Sequence, residues 1–205
     1  MTDRKQHWEQ VYTNKSALEV SWYQAEPRLS LELIQRSGIG KNAALIDVGG
    51  GASLLVDRLQ ADGYRQLAVL DISGAALAVA RQRLGAHAAA IEWYESDVTQ
   101  FIAPHPFSLW HDRAVFHFLT AAEDRQRYVE VLKRTLVSGG HVIIAAFALG
   151  GPTRCSGLEI VQYDAAKLKA ELGANFHLEE EQTETHLTPA GKEQKFGFFR
   201  LRKFD

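Results

Sequence analysis

The sequence predicts an α/β fold in which a mostly parallel sheet carries helices on both faces. Two observations predict it. Short apolar runs alternate along the chain with segments whose apolar residues recur at helical spacing. Near the carboxyl end, two alternating apolar/polar runs lie close enough in sequence to pair antiparallel. In chain order, helical patterns cover 3–13 and 27–37, and the first apolar run, at 43–48, reads as a strand buried on both faces. It ends in Asp47-Val48 and three glycines, and the following SLLVDRLQADG predicts a helix over 53–62. A second strand at 66–71 delivers Asp71 at its carboxyl end, followed by a helix at 74–84. Strands are expected at 90–95, 107–111 and 140–147, with helices at 122–136 and 164–172 between and after them. The alternating runs are Phe176–Glu184 and Phe196–Phe204.

At 205 residues and 46% hydrophobic residues, the chain can bury a full core as one domain over 1–205. A net charge of −2 supplies no long-range attraction to nucleic acid or an anionic membrane. The opening MTDRKQHWEQVY is too polar for a signal peptide, and no run of about eighteen apolar residues could span a bilayer. The single cysteine, Cys155, permits no internal disulfide, as expected for a cytoplasmic protein. No clustered cysteine or histidine spacing suggests a metal site.

Ala43 to Ser53, AALIDVGGGAS, carries the chemistry. Gly49, Gly50 and Gly51 let the backbone turn sharply and approach a ligand. Asp71, about twenty residues further on at the next strand's end, is placed to hold both hydroxyls of a ribose. The dinucleotide pattern G-x-G-x-x-G would need a glycine at 54, where Leu54 stands. Asp47, two positions before the first glycine, suits a ligand with positive charge near the turn. S-adenosylmethionine has such charge, in its ammonium and its sulfonium.

The motif Asp47-Val48-Gly49-Gly50-Gly51 resembles the D/E-x-G-x-G first motif of class I S-adenosylmethionine-dependent methyltransferases, with Ser53 replacing the last glycine of the longer form. The resemblance covers most of the chain. It implies a Rossmann-like seven-stranded sheet, five parallel strands plus a C-terminal antiparallel pair. It implies cofactor contacts from Asp47, the glycines, Asp71 and its neighbour Ile72. After the third strand, Asp97 and Val98 match the adenine-binding positions, although Ser96 and Asp97 also suit a helix N-cap. After the fourth, Asp112 matches the floor beneath the sulfonium. Trp8, Tyr12 and Trp22 resemble the HW-x-x-x-Y…W cap of a subgroup that includes lysine methyltransferases acting on elongation factor 1-alpha and on citrate synthase. There they close over the cofactor, making 1–26 a cap. The alternative for Trp8 and Tyr12, four apart on one helix face, is plain core.

Where those lysine enzymes carry D/E-K-G-T, this chain has Asp112-Arg113-Ala114-Val115. Its carboxyl third, at Gly151–Asp164 and His186–Phe196, resembles instead an uncharacterised, mostly bacterial group of methyltransferases. The acceptor is therefore open: a small molecule or a protein side chain, methylated on N, S or O. An amine or thiol acceptor needs deprotonation, for which His111, His117 and His186 are candidates. Each has a packing alternative. Cys155 is either inert packing or a contact for a soft acceptor. A catalytically silent cofactor-binding partner or sensor is the second reading of the whole chain.

Overall fold

The computed structural model describes residues 3–205. Helices α1 (Asp3–Asn14) and α2 (Arg28–Arg36) precede β1 (Ala44–Val48), α3 (Leu55–Ala61), β2 (Gln66–Asp71), α4 (Gly74–Leu84) and β3 (Ile91–Glu95). Then come β4 (Phe107–Arg113), α5 (Ala122–Thr135), β5 (Leu136–Phe147), the two-residue strands β6 (Arg154–Cys155) and β7 (Leu158–Glu159), α6 (Ala165–Leu172), β8 (Phe176–Leu187) and β9 (Glu193–Lys203). The main sheet has seven strands in the order β3-β2-β1-β4-β5-β9-β8. Strands β1 to β5 run parallel; β9 is antiparallel to β5, and β8 to β9. This is the Rossmann-like arrangement expected from the sequence.

Alternation along the strands divides the interior into two cores. Ile46, Val48, Leu70, Trp110 and Ile144 face α5 and α6, against Tyr128, Leu132 and Leu168. Leu45, Leu67, Val69, Leu109 and Ile143 face the other way, against Leu33, Ile34, Leu55, Leu59 and Leu77 of α2, α3 and α4. Every residue of β1 is buried, as a strand covered on both faces requires. The order reverses between β1 and β4, so a cleft opens beyond their carboxyl ends, where ligands bind in sheets of this kind.

Several strands differ from the sequence expectation. Strand β5 starts at Leu136 instead of 140, because Leu136 pairs with Phe107 before a register shift that takes up Gly139 at φ 74°. The final strands are longer than the apolar alternation suggested and run to Leu187 and back from Glu193. The small hairpin β6–β7 went unread; its two-residue turn, Ser156-Gly157, has positive φ at both positions, as a type I′ turn demands.

Candidate functional site

Beyond the carboxyl ends of the strands lies a cavity, in the place where sheets of this kind bind small molecules. Its walls come from loops after β1 to β5, from α1 and from β9. Gly49, Asp71, Ile72, Asp97 and Val98 line it, and Trp8, Tyr12 and Trp22 stand over it. A smaller cavity adjoins it, lined by Asp47, Gly49, Gly50, Ser30, His111 and Tyr23, and shares Tyr12, Trp22 and Arg113.

The glycine turn is shaped by what surrounds it. Gly49 and Gly51 adopt φ of 66° and 41°. A Cβ on Gly49 would overlap the Val115 side chain, and one on Gly51 would sit 2.6 Å from Asp71 Oδ2. Thus Asp71 faces the glycine turn. Its other oxygen, Oδ1, accepts the Ser73 amide at 2.8 Å. Burial pushes the Asp71 carboxyl up to about 7, with Asp47 and Glu9 adding to the rise. Asp97 Oδ1 caps the turn at Thr99 N (2.9 Å), as its N-cap reading expects, and the residue also lines the cavity.

The aromatic cap is a connected cluster. Trp8 meets Trp22 and Phe118 edge-on, with ring centres 5.6 and 5.0 Å apart. The Trp22 indole N–H donates to the Tyr12 hydroxyl at 3.1 Å. Charges pin α1 in place: Arg4 pairs with Asp97 (3.3 Å) and Asp124 (2.6 Å), and Lys5 with Glu95. Glu9 accepts the first amides of α4, Gly74 N at 2.7 Å and Ala75 N at 3.2 Å. That carboxylate complements the positive end of the helix.

Four expectations need correction. Asp112 does not line the cavity floor. On β4 it shares a face with Trp110, opposite to His111 and Arg113, and is fully buried towards α5. There it accepts the Tyr128 hydroxyl (2.6 Å) and the amides of Val115 (2.8 Å) and Phe116 (3.1 Å). Ala114, Val115, Phe118 and Leu119 line the cavity at this point. None of the candidate histidines lines the main cavity. His111 Nδ1 donates to Asp47 at 2.7 Å while Nε2 lies 2.9 Å from the Ser30 hydroxyl, so Asp47 is engaged by protein. His117 is fully buried between Phe118 and Phe147; burial and the Arg113 charge push it down to about 3, and it is neutral at pH 7. His186 donates Nε2 to the Ser21 carbonyl at 2.8 Å, and burial lowers it. Cys155 does line the cavity, buried, its thiol pushed up by desolvation.

Sequence reasoning missed Arg4, Glu9, Arg113, Gln194 and Phe196. Period-two alternation on β4 was the available signal for Arg113, since it must share the face of His111 and not of Asp112.

Residues 45–140 match the model of a family described as a methyltransferase domain. The domain match spans β1 to the start of β5, and so includes the glycine turn, Asp71 and Asp97. In fold, the chain resembles solved structures over almost its whole length. It is similar to the N-methyltransferase NodS from Bradyrhizobium japonicum in complex with S-adenosyl-L-homocysteine (TM-score 0.75, 17% identity, all of both chains covered). It is also similar to 1,6-didemethyltoxoflavin-N1-methyltransferase from Burkholderia thailandensis (TM-score 0.69, 18% identity, 98% of this chain and 84% of that one). A structure from work on conversion of a disulfide bond into a thioacetal group during echinomycin biosynthesis superposes with a TM-score of 0.79 at 15% identity, covering 98% and 91%. No curated protein matches the sequence. Among the described residues no helix is long and apolar enough to cross a membrane.

Proposed function

We propose that this methyltransferase domain takes S-adenosylmethionine as donor and transfers its methyl group to an N, S or O acceptor. The observation that carries this reading is Asp71: a buried carboxylate at the end of β2, facing the glycine turn from the wall of the switch-point cavity. Asp71 would hold the ribose, Asp97 and Val98 the adenine edge, and Gly49 to Gly51 the backbone side of the donor. Gly51 supports the fit, because the space a Cβ would fill there lies against Asp71.

When bound, the donor supplies a methyl group on a positively charged sulfur, open to in-line displacement by a nucleophile. The chain's part is positioning and exclusion of water. Trp8, Tyr12 and Trp22 roof the cavity, and aromatic surfaces are favourable neighbours for a sulfonium. With the three candidate histidines bonded or packed elsewhere, an acceptor that is already nucleophilic at neutral pH, or one deprotonated through solvent, fits this site better than one requiring a protein base. We take 1–205 as one unit with 1–26 as its cap. We also propose kinship of this cap with that of the elongation factor 1-alpha and citrate synthase lysine methyltransferases, carried by Trp8, Tyr12 and Trp22, and of the carboxyl third with a mostly bacterial group of methyltransferases, carried by Gly151–Asp164 and His186–Phe196. The lone reduced cysteine fits a cytoplasmic setting.

Titration calorimetry with S-adenosylhomocysteine tests the reading: micromolar binding is expected, and none of NAD; the reverse result overturns it. Binding should depend on pH with a definite sign. In the free protein Asp71 titrates near 7, and only its carboxylate form accepts both ribose hydroxyls. Affinity should therefore rise as pH increases towards 7, by up to about tenfold per unit well below the pKa, and flatten above it. Asp71→Asn should weaken binding by about 1.5–3 kcal/mol and abolish that slope. A mutant that keeps the slope places the ribose elsewhere.

A further inference from the structure

Arg113 lines the cavity, and the proposed donor site does not use its chemistry. It ends β4, and its guanidinium is buried. Nη1 donates to the Trp22 carbonyl at 2.9 Å, which fixes the plane of the group. Nε and Nη2 have no hydrogen-bond partner. These two atoms form the side edge of the guanidinium, whose parallel N–H bonds match the two oxygens of a carboxylate. The carboxylates that act on it electrostatically are engaged elsewhere: Asp47 with His111 at 2.7 Å, Glu184 with the Gln24 amide at 2.9 Å. Burial lowers Arg113 only to about 10, so it stays charged at neutral pH. Buried N–H groups of a cation left without acceptors are costly and point to an absent partner.

The surroundings say where that partner comes from. The guanidinium carbon lies 4.9 Å over the Phe196 ring. Phe196 and its strand neighbour Gln194 line the main cavity but not the second one beside the glycine turn. Gln194 Oε1 is itself buried and unpartnered. Asp97 follows β3 and Phe196 sits on β9, five strand spacings apart in the sheet order, or about 24 Å. A nucleoside held at β2 and β3 leaves the β5–β9 end to a second molecule. That end is aromatic, with Phe147 and Phe196 at 4.7 Å.

We propose that the methyl acceptor is a small molecule with an apolar or aromatic body and a carboxylate, which docks on the free Nε–Nη2 edge of Arg113 beside Gln194. The inference rests on the methyltransferase reading and adds the substrate class. It makes Arg113 a specificity-determining residue: a neutral amide in the carboxylate's place accepts one bond instead of two and loses the ion pair.

The test uses the intact protein saturated with S-adenosylhomocysteine, titrated with benzoate or with its neutral isostere benzamide. Benzoate should bind at least tenfold more tightly. Arg113→Lys, which keeps the charge but not the paired edge, should remove most of that preference, and Arg113→Gln all of it. Both variants should bind S-adenosylhomocysteine within about threefold of wild type, and their melting curves check folding. If neither variant folds, the wild-type comparison of benzoate with benzamide still decides. Equal binding of the two probes, or binding of neither, overturns the proposal and leaves the donor site standing. A variant that loses S-adenosylhomocysteine but keeps 5′-methylthioadenosine, which lacks the amino-acid end, assigns the edge to the donor's own carboxylate and overturns it as well. Wild-type protein that binds no S-adenosylhomocysteine overturns the reading beneath it, and the inference falls with it.

Discussion

Asp112→Ala should lower folding stability by about 3–5 kcal/mol, because it strands the Tyr128 hydroxyl and two buried amides at once. The carboxylate holds together the start of the β4–α5 connection, and Tyr128 passes the network on to the Trp110 indole at 2.8 Å. Burial raises Asp112 to about 6, with the bonds from Tyr128, Val115 and Phe116 limiting the rise. Asp112→Asn keeps one acceptor oxygen and should lose less than half as much. Affinity for S-adenosylhomocysteine in the Asn variant should stay within about threefold of wild type. A floor residue would give the opposite pattern, with near-normal denaturant unfolding and lost binding.

Trp8→Ala should have its main effect on binding. A fully buried tryptophan costs about 3–5 kcal/mol on truncation. Trp8 is half-buried, packs on Trp22 and Phe118 and lines the cavity. Its truncation should cost about 1–2 kcal/mol of stability, yet weaken S-adenosylhomocysteine binding about tenfold or more by unroofing the site. Cleavage of wild type near Lys5 or Lys15 by trypsin should slow when S-adenosylhomocysteine is added. Equal cleavage with and without it, joined to a collapsed melting temperature for Trp8→Ala, returns Trp8 to plain core.

The sheet was readable from the sequence because its physics is local. The buried parallel strands β1 and β2 are apolar runs ending in or near an aspartate, and the turn after β1 needs glycine at Gly49 and Gly51 for reasons of backbone and space. Asp71, Ile72, Asp97 and Val98 were readable for the same reason: a strand's carboxyl end and the loop after it are fixed once the strand is placed. Asp112 was misplaced by a single residue, which in a strand means the opposite face. The histidines were misjudged because partnership is not local. Nothing near His111 in sequence announces Ser30, eighty-one positions away, or His186's bond to Ser21. Arg113 and Gln194 meet in one wall only because β9 inserts beside β5, a consequence of topology that no short motif carries.

The placement of Glu9 on the first amides of α4, with Arg4 and Lys5 bonded to the loops after β3 and to Asp124, bears on the speed of turnover. If a molecule beneath α1 leaves by that helix swinging aside, the swing breaks these charged contacts together. Each is partly exposed and worth at most about 1 kcal/mol, but their sum falls on one opening event. Residence time under the roof should thus shorten as ionic strength rises, since screening weakens every member of the set. The spent donor's departure would then be slowest at low salt, whatever the rate of methyl transfer.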